Sequence, residues 1–499
     1  MSEVTLPQPG ASPRQATGGD TARRAARYAR YVFWLMFFIN FLNYLDRWIF
    51  TGLSPIIQQD LKISDFQLGL LNSAFLVVYA LVAMPLGFLA DRVARKTIVG
   101  IGVAIWSVAT ALTGLMSSFG ALLGVRALLG VGEGSYYPAG TPMIAAFYPP
   151  ARRSQMLARW ATAALIGAAF GFLLAGPFSS AGAWRYAFFF TGIPGLVFAL
   201  LIGISHEKSR HEEDPVVEKI AGASASTWQR LRSYLRIPTF RVILGTHIFG
   251  FFALTSVTSF ATVYLSDTYA RSVVKVDQYA TPIGTQPGPF PNAGLSPHIV
   301  PILAGGMVIV GGILGNLAGG ALADRLSKRH PGARVLTGGI GFLLAAPCVL
   351  AAVGAPYVLH AIPAYTGASE GTQVTIGVGA FAVFALLSAF FLNIYNGPMS
   401  AALLDIVPPE ERGAAGGAEL TLAHLLGDVY AAAAVGALSV MLTRAIGGEQ
   451  IGLALLLTCP LALLIAGAIG IRGSRHYASD VAALGTTAAA MLGTKPAGS

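Results

Sequence analysis

Apolar runs long enough to cross a lipid bilayer recur along this chain, and they constrain its fold more than any other feature. A membrane-crossing helix takes roughly 20 apolar residues, and the segment from Tyr31 to Ile57 reaches that length. About twelve such runs follow one another to the C-terminus. They start near residues 33, 66, 97, 120, 153, 184, 238, 298, 335, 374, 413 and 449. Charged residues make up 11% of the chain, where a soluble domain carries about 25%. A large soluble core would alternate with polar helix faces and polar loops, and this sequence does not. The expected fold class is an all-α polytopic membrane protein.

The first thirty residues are polar and basic, as in "PRQATGGDTARRAARYAR". A cleaved signal peptide has a short basic start and an apolar stretch of about 7–15 residues. Both stretches are too long here, so an uncleaved tail leading into a true span is expected. Lys and Arg favour the cytoplasmic side of a membrane. With the N-terminus inside, the inner loops and tails hold about 24 of the 33 Lys and Arg and the outer loops about 5. Both termini are therefore expected in the cytoplasm. The net charge of +10 follows from that topology and from anionic inner-leaflet lipid. No nucleic acid partner is expected, because the basic residues are scattered among short loops. Cys348 and Cys459 both fall in apolar runs, so neither a disulfide framework nor a metal cluster is expected. No Asn-x-Ser/Thr sequon occurs, which favours a bacterial inner membrane as the location.

Twelve spans divide six and six around a charged segment, 205–236, read as a cytoplasmic linker. The tail 1–30 and a bundle 31–204 precede it. A second bundle, 237–472, and a C-terminal tail, 473–499, follow it. Within the linker, Trp228–Arg236 reads as an amphipathic interfacial helix. The Pro- and Gly-rich stretch at about 267–297 reads as an irregular outer loop. The two halves echo each other: "GFLADRVARK" (Gly87 to Lys96) follows span 2 and "GALADRLSKR" (Gly320 to Arg329) follows span 8. A second echo pairs "YPPARRS" (Tyr148 to Ser154) with "VPPEERG" (Val407 to Gly413). Parallel repeats of six spans are a transporter signature.

With these motifs in place, the chain resembles the major facilitator superfamily over about residues 30–475. Within that superfamily, "NYLDRW" (43–48), "ISDFQLGLLNSAF" (63–75), "RALLGVGEGSYYPAG" (126–140), "WRYAFFFTGIPGL" (184–196) and "HLLGD" (424–428) resemble the spinster family. The resemblance implies two pseudo-symmetric six-helix bundles with spans 1, 4, 7 and 10 around a central cavity. It also implies export of a lysophospholipid or a sphingoid lipid. It implies that the 2–3 loop motif, with Gly87, Asp91, Arg92 and Arg95, latches the inner side. Asp324 and Arg325 would serve the symmetric position.

Asp46 and Arg47 stand in the middle of span 1. Sequence neighbours on a helix point about 100° apart and do not face each other. A charge facing lipid at mid-bilayer costs at least about 2.5–3.5 kcal/mol, so each needs another partner. Arg126 and Glu133, seven residues apart on span 4, share one helix face. The resemblance implies that all four converge on the cavity, with Asp46 facing Glu133. Asp46 and Glu133 are then candidate proton carriers, and Arg47 and Arg126 are candidates for holding a phosphate or carboxylate. The alternative for Arg126 and Glu133 is a packing salt bridge. The glycines of "GVGEG" lie inside a span and lack a nucleotide-binding pattern, and no Gly-Lys dipeptide offers a Walker loop. They are expected to permit close helix packing. The glycines of "GAAFGFLLAGPF" (167–178) resemble the antiporter motif of the superfamily. Span 11 carries His424 and Asp428 four residues apart, a protonation site or a buried pair, and span 10 offers Asn393 and Asn396. Span 7 brings His247 among several phenylalanines.

These features predict a proton-coupled secondary transporter of an amphipathic lipid working by alternating access. The alternative is a transporter of small organic anions. No enzymatic activity is expected, and no cofactor beyond a proton gradient. The partners are the substrate, protons and membrane lipids, and the chain is expected to act as a monomer.

Overall fold

The computed structural model describes residues 14–90, 93–148, 150–206, 227–269, 295–296, 298–408, 411–448 and 450–492. Its first six long helices are α1 (Arg14–Asp60), α2 (Asp65–Ala90), α3 (Arg95–Thr113), α4 (Phe119–Ala146), α5 (Pro150–Ala175) and α6 (Trp184–Gly203). A short helix, α7 (Thr227–Tyr234), precedes the second set. That set runs through α8 (Pro238–Tyr269), α9 (Val300–Ser327) and α10 (Ala333–His360). After the single-turn α11 (Pro363–Thr366) come α12 (Glu370–Asn393) and α13 (Asn396–Asp405), which together make one broken span. The next span is built from α14 (Arg412–Ala423), a π-helical turn (His424–Asp428) and α15 (Val429–Ile446). Helix α16 (Ile451–Gly473) is the last span, and α17 (Tyr477–Leu492) follows it. Twelve spans in two sets of six match the sequence reading. Nine helices among the described residues are long and apolar enough to cross a membrane. The described residues contain no β-strand pairing beyond an isolated bridge position at Leu295.

Two boundaries differ from the sequence reading. Helix α1 reaches back to Arg14, into the stretch read as a tail, because no proline lies between Pro13 and Pro55 and the Ala and Arg residues after Gly19 favour a helix. Beyond α16 the chain folds back as α17 instead of trailing away. Asp480 on α17 accepts from the Thr239 N–H at the start of α8 (2.8 Å), an anion placed at a positive helix end. Tyr477 also donates to Asp405, which Arg334 pairs with. The amphipathic helix is present but stops at Tyr234, whose buried ring stacks on Phe240 while Trp228 stays exposed. Residues 207–226 of the linker, 270–294 of the loop after α8, and the ends 1–13 and 493–499 lie outside the described residues.

Glycines set the helix spacing inside the first bundle. A Cβ on Gly130 or Gly134 would lie 2.7 Å from the Phe75 carbonyl oxygen or 2.9 Å from that of Tyr79, both on α2. A Cβ on Gly132 would lie 2.6 Å from the Trp106 nitrogen on α3. The "GVGEG" glycines thus let α4 press against α2 and α3, as expected, and leave Glu133 on a third face. Gly167 and Gly171 do the same for α5 against the Phe41 and Leu45 carbonyls of α1.

The two halves meet on the face opposite the chain termini. There α2 packs along α15: a Cβ on Gly69 or Gly436 would lie 2.3 Å from the Ala432 or Asp65 carbonyl oxygen. Buried Asp65 accepts from Ser439 of α15 (2.6 Å) and from Gln58 (2.5 Å). On the other side of the axis, Gly305 of α9 sits on Phe172 of α5, and His298 Nδ1 lies 2.8 Å from the Gly176 carbonyl oxygen. Among the described residues, α2 packs mainly along α15 and also touches the π turn.

Candidate functional site

The charged residues of α1 and α4 meet, but not in the pairing that sequence suggested. Arg47, not Asp46, faces Glu133, with Nη2 2.5 Å from Oε2. Asp46 turns back into the bundle, where Thr110 of α3 donates to its Oδ2 (3.1 Å). The reason is the 100° step between neighbours: once the guanidinium points at α4, the carboxylate beside it points at α3. Asp46 is buried, Glu133 is fully enclosed, and the Arg47 side chain keeps 27% of its surface exposed.

Arg126 does not pair with Glu133 either. It donates to Asn72 Oδ1 on α2 (3.1 Å) and has no carboxylate partner among the described residues. Its guanidinium carbon lies 4.1 Å from the Phe50 ring centroid and 5.0 Å from that of Phe75. The Arg47 guanidinium carbon lies 4.8 Å from the same Phe75 ring, 5.2 Å from Tyr44 and 5.6 Å from Tyr79. One phenyl ring therefore touches two guanidinium groups. Aromatic faces stabilise desolvated cations by about 0.5–2 kcal/mol each, which accounts for holding both here. Asn43 Nδ2, Asp46 Oδ1, Arg47 Nε, Arg126 Nε and Glu133 Oε1 are buried without a hydrogen-bond partner. Buried polar atoms are normally satisfied, so this cluster carries unused hydrogen-bonding capacity. Asn72, Phe75, Tyr44 and Tyr79 were missed from sequence. The one visible signal was the polar pair Asn72–Ser73 inside an apolar run.

In the second half, His424 Nδ1 lies 2.7 Å from Asp428 Oδ2, as their spacing suggested. The turn that holds them is π-helical, a rare geometry that is frequent at functional sites. His247 of α8 lies 2.6 Å from Glu419 of α14, both side chains 6% exposed. Asn393 donates to the Ala389 carbonyl (2.8 Å) and accepts from Asn396 (3.4 Å) at the break between α12 and α13. Asn393 also lines a small apolar pocket of about 50 Å³, together with Leu254, Met307, Val353, Phe381 and Leu392.

Of the inner-loop motif, Gly87 lies near the end of α2 and Arg95 begins α3. Asp91 and Arg92 lie outside the described residues. Asp324 and Arg325 stand exposed at the end of α9. Neither forms an ion pair among the described residues.

Two six-helix halves, the first of them holding a buried charged cluster, are the architecture of a polytopic membrane transporter. The sequence profile of the Major Facilitator Superfamily matches residues 36–418, and the chain belongs to that superfamily. Within it the chain is spinster-like. It is 28% identical to "Protein spinster homolog 1" of Xenopus laevis over 438 residues, 87% of this chain and 77% of that protein. It is equally identical to an "MFS-type efflux pump" of Mycolicibacterium smegmatis over 440 residues, 88% of this chain and 90% of the pump. Among solved structures, a bacterial homologue of the human lysosomal transporter spinster, inward-facing and unoccupied, superposes with a TM-score of 0.69 at 21% identity. That match covers 91% of this chain and 97% of the other. The nucleoside transporter NupG, as a D323A mutant, superposes with a TM-score of 0.64 at 14% identity, covering 88% and 98%.

Proposed function

We propose that this chain moves an amphipathic lipid with an anionic head group, of the lysophospholipid or sphingoid-phosphate type, in exchange or together with protons. The observation that carries this reading is the charge balance around Phe75. Two guanidiniums share the ring, and one carboxylate, Glu133, pairs with one of them. Arg126 holds an amide oxygen in place of an anion. A phosphate or carboxylate supplies the counter-charge that Arg126 lacks and acceptors for the unsatisfied Nε–H groups. The apolar lining of the small pocket in the second half has the character that an acyl or sphingoid chain prefers.

Coupling follows from the same pairing. Ionised Glu133 holds Arg47; protonated Glu133 releases it. Arg47 then joins Arg126 on the head group, so proton binding and anion binding favour each other on that side of the membrane. Asp46 is the second proton candidate, one residue along and held by Thr110. The excess of Lys and Arg on the terminal face supports a bacterial inner-membrane protein with both termini in the cytoplasm. A single chain supplies both halves, which supports action as a monomer without a cofactor. A carrier of small organic anions needs the same arginines but not the apolar pocket. Proteoliposome uptake of labelled lysophospholipid and of a small organic anion, with and without a pH gradient, decides between them. Uptake of the lysolipid supports the proposal, and uptake of the anion alone overturns it.

A further inference from the structure

The buried ion pair of the first half and those of the second are built from different bases. In the first half, Glu133 is opposite an arginine, which stays charged at any physiological pH. In the second half, Glu419 and Asp428 are opposite histidines, and neither carboxylate has a Lys or Arg partner among the described residues. Histidine is the side chain whose charge changes most readily near neutral pH. Charge compensation there is conditional on a proton.

The His247–Glu419 pair is the more enclosed of the two. The imidazole stacks on Phe251 (centroids 5.2 Å apart, planes 5° apart) and meets the edge of Tyr395 (4.9 Å). Its Nε2 is buried with no hydrogen-bond partner. A neutral ring that donates from Nδ1 to Glu419 leaves Nε2 as a bare acceptor and leaves the pair with net charge −1. A proton on Nε2 turns the pair into an imidazolium–carboxylate with net charge zero; the carboxylate keeps its charge and no other bond changes. Inside a low-dielectric bundle the neutral total is favoured over the isolated charge, while the lone Nε2–H that results opposes it. The two effects act in opposite directions.

The groups that face it are few. Glu419 comes from α14, His424 and Asp428 from the π turn, and Tyr395 from the break between α12 and α13. Phe251 stacks on His424 (5.0 Å) as well as on His247, so the two histidine–carboxylate pairs share one ring. Among the described residues, α1, α9, α10 and α16 place no charged group within ion-pair distance of His247, and Asp480 of α17 caps the start of α8 at Thr239. The pair also bridges two spans at a tight contact: a Cβ on Gly427 of the π turn would lie 2.6 Å from the Ile248 carbonyl oxygen.

We propose that His247 and Glu419 form a second proton-binding site, in the second half, that loads and unloads separately from Glu133. Loading it ties α8 to α14 by an ion pair, and unloading it leaves one hydrogen bond. Its link to substrate movement rests on the proton-coupled reading above; its occupancy by a proton does not.

The test uses full-length protein in lipid nanodiscs with 15N-labelled histidine. The chain has eight histidines, and the resonances of His247 are those lost in His247→Gln. Should that variant not fold, single glutamine variants at the other seven assign it by elimination. The expected result is that both ring nitrogens of His247 change shift together with pH within the range where the protein stays folded. In Glu419→Gln the change moves to lower pH, because the imidazolium loses its counter-charge. Shifts that do not vary with pH, or an identical titration in Glu419→Gln, overturn the proposal. In transporting vesicles, His247→Gln lowers the proton-to-substrate ratio by one; an unchanged ratio alongside a normal His247 titration leaves the binding site standing and refutes its coupling. If Glu133→Gln keeps its pH dependence while His247 titrates, the first-half reading fails and this one does not.

Discussion

Replacing Glu133 by glutamine keeps the shape and one hydrogen bond to Arg47 but removes the negative charge. Breaking a fully buried ion pair by removing one partner costs about 3–5 kcal/mol. Here Arg47 is 27% exposed and its guanidinium lies over Phe75, Tyr44 and Tyr79, so the cation left behind is partly solvated and partly stabilised by the rings. A loss of about 2 kcal/mol is the reasoned figure. For a bundle of this size it lowers the melting temperature by about 4–8 °C. The sign with pH is decisive. Stabilisation from the pair is present while Glu133 is ionised and disappears as falling pH protonates it. Glutamine mimics the protonated acid, so the melting curves of wild type and Glu133→Gln separate at high pH and converge at low pH. The assay is thermal unfolding of purified protein across a pH series. A gap that stays constant at every pH would refute the reasoning, since the carboxylate would then not titrate while the protein is folded.

Other outcomes follow from the same geometry. Arg126→Ala abolishes saturable lysolipid uptake, while Arg126→Lys restores it only in part, because an ammonium cannot repeat the planar fork over Phe50 and Phe75; initial rates across substrate concentrations measure this. Gly436→Val forces a side chain into the Asp65 carbonyl, so the halves cannot close on the face opposite the termini, and a cysteine placed near Gly52 becomes reactive to a membrane-impermeant thiol reagent. Trp160→Phe removes the indole N–H that donates to the Met36 carbonyl and Tyr136 Oη and costs about 1 kcal/mol in unfolding, a typical net hydrogen bond. Ala389→Phe fills the apolar pocket and lowers uptake of long-chain lysolipids more than of short-chain ones, which a chain-length series reads directly.

Much of the fold was legible because bilayer length and the positive-inside bias act on long stretches of sequence. The twelve spans, the six-and-six repeat and the convergence of α1 with α4 needed no knowledge of rotation about a helix axis. Partner choice did need it. Asp46 and Arg47 are adjacent, and nothing local says which of them α4 will meet. His247 and Glu419 are 172 positions apart, and each reads alone as a polar residue in an apolar run. Asp65 and Ser439 are further apart still, 374 positions, and only the fitted glycines beside them bring their backbones close enough to bond. The π turn at His424–Asp428 preserved the expected pair because one extra residue in the turn still leaves both side chains on the same side.

The central claim is that anion binding at Arg47 and Arg126 and proton binding at Glu133 are one linked event. The most direct measurement loads vesicles containing the wild-type chain or Glu133→Gln with a pH-sensitive dye and imposes a lysophospholipid gradient with no pH gradient. The account predicts that lipid movement drives protons across the wild-type membrane and that Glu133→Gln moves fewer protons per lipid. Lipid movement with no proton flux in the wild type, or the same flux in both, would contradict it.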